Sequence, residues 1–412
     1  MISYEKAAFA LLLVAGLYLP TSIHGEQSAL LALVSFGVLL ILFLYLAWKH
    51  GTRRRAVAFF TLPIMIILAV CTLSALFSGP FRFGWGVFAV FGLLALMLAL
   101  DLRTVHPGRF VYAAFVLANM LNIACGIAIL VGNEWVAEFL PAFYTQFYPD
   151  LVPTMISVHK PVLMFGTHSL AGLFVYLFFW LNWETYKMRR SLLALFFALS
   201  HLILLLALTS FTSLAFAALA LAQMGIWFWK RSRKVFVAAT LCVVVTVLLG
   251  GRWLENQIDG LVELPEIGVT LLNSDNNGPL ARYGQGASLR PTIAYLFDHP
   301  LSPIGFVTPS NLYIVDSGPL EYLLRGSVPL LVLIYFGLYR FLRDNLASRS
   351  HALTLFLVII AFETGFTALS YFRTPYLLPF FVIYLKQITP DTNCGLSFHA
   401  GVHPSLVANA RP

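Results

Sequence analysis

The sequence predicts an all-α protein, a polytopic bundle of about twelve transmembrane helices. Of its 412 residues, 59% are hydrophobic and 11% are charged, whereas soluble domains are about 45–50% apolar and about 25% charged. Apolar runs of roughly 20 residues, the length that a spanning helix needs, recur along most of the chain. Lys and Arg collect in every second connection between these runs, as the positive-inside rule predicts for membrane proteins.

The apolar runs define the spans in order. The first run lacks a basic leader and a small-residue cleavage site, so we interpret it as a short span and not as a signal peptide. The division near Thr209 to Ser213 is the least well defined, because Ser191 to Trp229 permits other divisions. The predicted spans are residues 5–22, 27–48, 56–78, 84–102, 110–132, 165–186, 191–209, 212–229, 235–251, 319–341, 351–370 and 374–389.

The basic connections set the predicted orientation. They follow the second, fourth, sixth, eighth and tenth spans, as in Arg53–Arg55 and Lys230–Lys234. We therefore place this side, and both termini, in the cytoplasm. The net charge of +8 then serves membrane orientation, and a nucleic-acid partner is not predicted.

A single transmembrane domain is predicted over residues 1–388, followed by a polar and disordered cytoplasmic tail at 389–412. Two large external loops cover about 133–165 and 252–318. The first contains an aromatic-rich run from Trp135 to Tyr148, which suits a helix lying at the membrane interface. The second is the longest polar stretch of the chain, and loops of that length are typically functional or disordered.

Two arginines of the second loop are candidates for anion binding. Pro291 follows Arg290 and opens a short apolar run to Asp298, which predicts a short helix with proline in its first turn. Arg282 lies eight residues earlier. Two guanidiniums beside a membrane suit a diphosphate, because each offers a planar bidentate fork to phosphate oxygens. The alternative is that both pair with nearby aspartates or lipid headgroups.

Three ionisable residues flank the start of the tenth span. Asp316 precedes the apolar run, and Glu321 and Arg325 follow with the i, i+4 spacing that pairs two side chains on one helix face. Ionisable groups at membrane depth are costly and point to function by default. The Asp316 carboxylate could take a proton from a hydroxyl group. The alternatives are a helix cap for Asp316 and a structural ion pair for the other two.

Further candidates lie at the external ends of other spans. Lys160, His168 and Arg373 could line an anion site, although a structural histidine and a snorkelling arginine are the alternatives. Glu363, nearer mid-span, could mark a proton path or form a helix–helix hydrogen bond. The four cysteines form no CxxC pair, and no phosphate-binding loop, zinc motif or dinucleotide fingerprint occurs in a suitable context. We predict no cofactor and no metal.

Three stretches resemble the bacterial O-antigen polymerase and ligase superfamily. Ser288 to Phe306 is similar to the family's arginine, short helix and Pro- and Gly-containing segment. Val315 to Pro329 resembles the motif that leads into the next span, and Lys160 to Ala171 resembles the entry to a middle span. The chain departs from the family in lacking an arginine within Thr209 to Ser213 and a second glycine after Gly305.

The resemblance implies a GT-C-like, metal-independent glycosyltransferase of the bacterial inner membrane with a periplasmic active site. It would polymerise undecaprenyl-diphosphate-linked oligosaccharides into O-antigen, capsule or exopolysaccharide, with membrane lipids, a chain-length regulator and a flippase as partners. Arg290 and Arg282 would stabilise the diphosphate leaving group, and Asp316 would act as the base. The residues expected to line the cleft are His168, Lys160, Arg325, Glu321 and Arg373.

Two alternatives stay open. Ligases of the family, which transfer finished glycan to lipid A core, have a histidine where this chain has Asp316, so we favour a polymerase. A secondary transporter or flippase would show repeated halves, broken helices near the bilayer midplane and paired intramembrane charges. We detect no repeat in the sequence, and we rank transport below the transferase.

Overall fold

The structure, a computed structural model, describes residues 14, 18, 29–78, 82–105, 108–144, 155–165, 167–231, 233, 289–299, 302–308, 317–370 and 373–389. This part of the chain is mostly helical. Its elements, in chain order, are α1 Ala29–His50, α2 Arg54–Ala56, a π-helical turn Val57–Thr61, α3 Leu62–Ser78, β1 Arg82–Phe83, α4 Trp85–Ala99, α5 Gly108–Leu130, α6 Glu134–Tyr144, α7 His168–Arg189, α8 Leu192–Ala207, α9 Phe211–Arg231, α10 Arg290–Asp298, β2 Val307–Thr308, α11 Gly318–Asn345, α12 Arg349–Glu363 and α13 Arg373–Ile388.

Four helices of the described residues are long and apolar enough to cross a membrane. They are Arg54–Phe77, which joins α2 and α3 through the π-helical turn, and the helices α5, α9 and α11. Shorter apolar helices include α4 and α8. These helices agree with the predicted membrane protein, whereas the count of about twelve spans, the sidedness and the single domain stay predictions. The predicted spans 5–22 and 235–251 lie largely or wholly outside the described residues.

Helix α7 lies at the centre of the bundle. Every residue from Ser169 to Thr185 is buried, and the helix packs against α8, α9 and α13. A helix that is apolar all round must be covered by other helices or by lipid. Here protein covers it, since its Phe178 stacks on Phe115 of α5 and meets Phe381 of α13 edge-on.

The predicted basic connections meet at one end of the bundle, which we call the basic end. Arg53 forms an ion pair with Asp344 at 2.6 Å. Lys386, in the last turn of α13, donates to the carbonyl oxygens of Leu102 and Arg103 at 2.6 and 2.8 Å. Arg189, at the end of α7, donates to the carbonyl of Gln387. The basic connections that alternate along the sequence therefore lie at one end of the bundle. There the cations bond to backbone carbonyls near the helix ends and to carboxylates.

Two helices end earlier than predicted. In each case a side-chain oxygen accepts hydrogen bonds from backbone N–H groups beyond the helix end. Helix α12 ends at Glu363 and not near 370. The Glu363 carboxyl accepts hydrogen bonds from the backbone N–H groups of Ala368 and Leu369 at 3.1 and 2.7 Å. Helix α4 ends at Ala99, and the amide group of Asn345 accepts from the Leu102 N–H at 2.8 Å. Side-chain partners that compete for backbone groups set such boundaries.

The division near Thr209 is confirmed. Helix α8 ends at Ala207 and α9 begins at Phe211. Thr209 adopts a left-handed conformation with φ of 49°. Ser210 and Ser213 then bond to each other, since the Ser210 hydroxyl donates to the Ser213 oxygen at 2.9 Å.

Helix α11 breaks near its start, at Gly326 and Ser327, where Ser327 has φ of 58°. The residue four positions after Arg325 is Pro329, which has no N–H to donate to the Arg325 carbonyl. That carbonyl accepts instead from Gly305 N at 2.9 Å, and the Leu324 carbonyl accepts from Ile304 N at 2.9 Å. A segment from another part of the chain thus satisfies the carbonyls that the broken helix leaves open.

This inserted segment, residues 302–308, is anchored on its other side as well. The Phe306 N–H donates to the Thr72 hydroxyl at 2.7 Å, and the Phe306 carbonyl accepts from Gly84 N at 2.9 Å. Its strand β2 pairs antiparallel with β1. Gly305 has φ of 60°, and a Cβ there would overlap Thr72 and the Leu68 carbonyl. The segment consequently requires glycine at this position for both conformation and space.

We therefore expect Gly305→Ala to destabilise the protein by about 1–3 kcal/mol, as a left-handed non-glycine residue without room for its Cβ should. Gly92→Ala is the matched control, because Gly92 lies inside α4 with nothing within 4 Å of a new Cβ. The control should be neutral or slightly stabilising, since alanine favours helix. Thermal unfolding of both variants in detergent measures the difference. Equal melting temperatures for the two would contradict the insertion.

Candidate functional site

The ionisable residues predicted near the external surface gather at the end opposite the basic end. We call it the Glu321 end; it holds the first turns of α7, α11 and α13 and the last turn of α12. Arg282 and Asp316 lie outside the described residues, and their roles stay predictions.

Arg325 binds the inserted segment to α11. The residue is 3% exposed, its Nε donates to Glu321 Oε1 at 2.9 Å, and its Nη1 donates to the Gly305 carbonyl at 2.8 Å. The guanidinium also lies over the Phe91 ring, 5.7 Å from its centre. The predicted i, i+4 pair is confirmed. Because most of its donors serve backbone and carboxylate groups of the protein, Arg325 is placed to hold the segment in position.

Glu321 connects this pair to α13. Its second oxygen, Oε2, accepts from the hydroxyl of Ser370 at 2.5 Å. Ser370 lies in the turn between α12 and α13, three residues before Arg373. Glu321 therefore joins the broken helix to the connection that leads into α13, and each carboxylate oxygen has a donor.

Glu363 forms a second buried acidic site beside the first. It is fully buried, and its Oε1 accepts from the Tyr322 hydroxyl at 2.7 Å in addition to the two backbone amides that end α12. Gly318 approaches the carboxyl so closely that a Cβ there would lie 2.7 Å from it. The tyrosine of α11 and the carboxyl of α12 thus fix the two helices to each other, which agrees with the helix–helix hydrogen bond considered from the sequence.

Arg373 lies at the start of α13 and is 1% exposed. Its guanidinium donates to the Met164 carbonyl and lies over the Phe165 ring, 5.6 Å from the ring centre. His168 follows at the first position of α7, where Thr167 caps the helix by accepting from Leu170 N at 3.2 Å. Arg373 and the entry to α7 are therefore in contact. A snorkelling arginine would instead be exposed at the helix end.

Lys160 is half-buried four residues before Met164. Beside it, a cavity of about 270 Å³ opens between the end of α5, the start of α6 and the turn containing His159. Asn133, Glu134, Ser157 and His159 contribute polar groups to its lining. The His159 ring bonds to the Ile129 carbonyl at 3.2 Å, which fixes the wall of the cavity against α5.

Helix α6 forms part of this cavity and matches the aromatic-rich run predicted to be helical, although it begins at Glu134 and ends at Tyr144. Trp135 is 69% exposed and stacks on Phe139 with ring centres 5.2 Å apart, whereas Leu140 is buried. One side of the helix thus packs on the bundle and the other offers aromatic surface. That division is typical of a helix lying in a membrane interface.

Arg290 is exposed on α10, the short helix with Pro291 in its first turn that the sequence predicts. The helix packs through Tyr295 and Leu296 onto a small core containing Leu324 and Ile304. Because Leu324 precedes Arg325 at the break of α11, α10 is fixed to the same inserted segment. The exposed guanidinium of Arg290 therefore belongs to the Glu321 end.

Six of the eight predicted site residues are among the described residues and lie towards this end. For Glu321 and Arg325 the structure shows the ion pair considered from the sequence, and it adds a joint to the inserted segment that sequence reasoning missed. Glu321 and Arg325 carry the joint between the inserted segment and α11, and Tyr322 and Ser370 were not predicted at all. The signal for this joint was present in the residues that follow Arg325, where glycine, serine and proline interrupt an apolar run. In the described part of the chain, no group of three His, Cys, Asp or Glu side chains is arranged to hold a metal ion.

Comparisons of the chain with protein-family models, curated proteins and solved structures give no match.

We expect the two members of the buried ion pair to depend on each other. Glu321→Leu should destabilise the protein by about 3–5 kcal/mol, because it leaves Arg325 buried without a counter-ion. The double variant with Arg325→Met should cost about 1–3 kcal/mol less than the sum of the two single variants. Equilibrium unfolding in detergent of the four proteins measures this coupling.

The matched control is the second i, i+4 pair of α11, Arg340 and Asp344, whose guanidinium and carboxylate are 3.7 Å apart and partly exposed. Their coupling should stay below about 1 kcal/mol. Similar coupling energies for the buried and exposed pairs would contradict the joint that we describe.

Proposed function

We propose that this protein is a membrane glycosyltransferase that polymerises undecaprenyl-diphosphate-linked oligosaccharide repeats at the periplasmic face of the bacterial inner membrane. The observation that carries the proposal is the position of Arg290. It is exposed at the start of a short helix, and α11 fixes that helix through the inserted segment. The same stretch of chain carries the resemblance to the polymerase and ligase superfamily.

The chemistry asks for fixed cations at this position. Transfer breaks the bond between the sugar's anomeric carbon and the diphosphate oxygen, and negative charge builds on the leaving group. A guanidinium held in place stabilises that charge without reorganising during the reaction. A short helix packed against a buried joint holds its first residue more firmly than an extended loop does. Arg290 is our first candidate for this role, and Arg282 is the second.

The neighbouring charges complete the proposed cleft. Glu321 neutralises Arg325, whereas the exposed Arg290 and the half-buried Lys160 contribute positive charge at this end. A positive cleft concentrates an anionic substrate before any contact forms. Asp316 precedes α11 by two residues and would take the proton of the acceptor hydroxyl, while His168 would line the cleft.

The proposed orientation in the membrane rests on the basic end of the bundle. The basic end contains Arg53, Arg103 and Arg189, and the positive-inside rule assigns such an end to the cytoplasm. Arg290 would then face the periplasm, where finished lipid-linked repeats are available. The exposed aromatic surface of α6 would lie in the outer interface and contact the polyprenyl chain.

The second candidate within the class is a ligase that transfers the glycan to lipid A core. Secondary transport of a lipid-linked glycan is the candidate from another class, and the break in α11 favours it. Transporters place paired charges beside discontinuous helices, as Glu321 and Arg325 are placed here. Against transport, those charges bond to the protein itself, and neither offers a group for a transported ion.

Arg290→Ala should abolish polymerisation, with activity at least about 100-fold below wild type, because removing one fixed donor to a developing oxyanion costs about 10²–10³ in rate. The assay incubates purified protein with the undecaprenyl-diphosphate oligosaccharide of its own host and resolves products on a gel. The matched control is Arg55→Ala, which removes an exposed arginine at the basic end and should leave the ladder unchanged.

A ladder from Arg290→Ala equal to wild type would remove Arg290 from the mechanism. If wild type gives no ladder but extends added lipid A core by a single step, the protein is a ligase. If it instead moves the intact lipid-linked glycan across a vesicle bilayer, the protein is a transporter.

Asp316→Asn separates the two roles considered for that residue. If Asp316 is the base, the substitution should reduce the rate by about 10²–10⁴ while leaving the melting temperature unchanged. If it caps α11, activity should persist, since asparagine caps a helix about as well as aspartate. The same ladder assay with a thermal melt distinguishes the outcomes.

A further inference from the structure

Two guanidiniums share one indole ring at the basic end. Arg190, which ends α7 in a left-handed conformation, lies 5.0 Å from the centre of the Trp227 ring. Arg231, in the last turn of α9, lies 5.4 Å from the same ring. Two residues after Arg231, Arg233 lies 5.2 Å from the ring of Trp229. We call these five residues the arginine–tryptophan cluster.

The two helices hold the cluster in place. Trp183 of α7 is 1% exposed and meets Trp227 edge-on, with ring centres 5.3 Å apart. Tyr186 of α7 contacts Trp227 at 5.8 Å, and the Arg190 guanidinium also lies over the Tyr186 ring. Trp227 is thus fixed by buried aromatic contacts, and it offers its ring as a platform to cations.

The arginines of this cluster differ from Lys187 and Arg53 at the same end, whose charges carboxylates of the protein satisfy. Lys187 is paired with Glu184 at 2.6 Å, and Arg53 is paired with Asp344 at 2.6 Å. In the part of the chain that the structure describes, no carboxylate lies within ion-pair distance of Arg190, Arg231 or Arg233.

Holding like charges together costs electrostatic energy, and an anion bound between them would recover it. The exposed guanidiniums of Arg190 and Arg231 are free to turn their N–H groups toward such an anion. Stacking on the shared ring already restricts their positions, so less conformational entropy is lost on binding.

Apolar surface adjoins the cluster. Leu192, two residues after Arg190, is 77% exposed. On α9, Ile226 and Trp229 are 58% and 46% exposed and have the i, i+3 spacing of one helix face. A ligand on this face would therefore meet apolar side chains along the helix and guanidiniums at its end.

We infer that the arginine–tryptophan cluster binds the headgroup phosphate of an anionic phospholipid, with the acyl chains lying along Ile226 and Leu192. Basic pockets between helices at a membrane surface recognise anionic lipids through the same combination of charge and apolar contact. Arginine suits a phosphodiester because its planar fork reaches two oxygens at once. The inference concerns the end opposite the proposed transferase site and does not depend on that activity.

The test is a native mass-spectrometry titration of the delipidated full-length protein in nonionic detergent, with phosphatidylglycerol and, separately, phosphatidylcholine. We expect wild type to bind the first phosphatidylglycerol molecule at least tenfold more tightly than phosphatidylcholine. R190Q/R231Q should lose about 25-fold in affinity for phosphatidylglycerol, which corresponds to about fivefold for each cation removed at the surface. Its affinity for phosphatidylcholine should be unchanged.

The matched control is R54Q/R55Q, which removes two exposed arginines from the same end. For neither Arg54 nor Arg55 does the structure give an aromatic contact or an ion pair. This control carries the same net charge as R190Q/R231Q and should bind phosphatidylglycerol within twofold of wild type. Equal losses in the two double variants would overturn the site and leave a diffuse charge effect. Equal affinity of wild type for both lipids would overturn it as well.

Two further measurements on the wild-type protein do not rely on a variant that folds. Raising the salt concentration tenfold should weaken binding of phosphatidylglycerol several-fold and leave phosphatidylcholine unaffected, because salt screens exposed charges. The soluble headgroup glycerophosphoglycerol at millimolar concentration should not displace the lipid. Full displacement would identify a site for soluble phosphodiesters and overturn the lipid assignment.

Discussion

The architecture of the Glu321 end depends on the open carbonyl of Arg325. Pro329 cannot donate to it, and Arg325 is buried. A backbone acceptor left alone in that environment would cost several kcal/mol. The Gly305 N–H provides the missing bond, and the Arg325 side chain returns one to the Gly305 carbonyl. Two opposite bonds between the same two residues thus close the break and fix the inserted segment.

Several features follow from this closure. The segment needs glycine at 305 because α3 passes too close for a side chain. Arg325 must be buried to reach the Gly305 carbonyl, and a buried guanidinium needs a carboxylate, which Glu321 provides at 2.9 Å. Glu321 then recruits Ser370, which ties the turn before α13 to the same joint. Helix α10 packs on the inserted segment and so holds the exposed Arg290 in place. The position of Arg290 therefore depends on the break that Pro329 causes in α11.

Sequence reasoning located the helices well because apolar length and basic connections are long-range, repeated signals. It also predicted the short helix after Arg290 and the pairing of Glu321 with Arg325, since both depend on spacing within one element. It could not show that Ile304 and Gly305 donate to the open carbonyls of α11, because these bonds join residues about twenty positions apart in the chain. For the same reason the early end of α12 was missed: the Glu363 carboxyl acts on backbone groups five and six residues later.

The same joint bears on the two classes of function that the sequence left open. A transporter must let its broken helix rearrange around a site near mid-membrane, and the groups at the break must be free to exchange partners. At Gly326 the Leu324 and Arg325 carbonyls, the guanidinium and both Glu321 oxygens already have partners within the protein. Opening the joint would break all of these bonds together. A rigid joint of this kind instead suits an enzyme that must hold a cation still while charge develops on a leaving group.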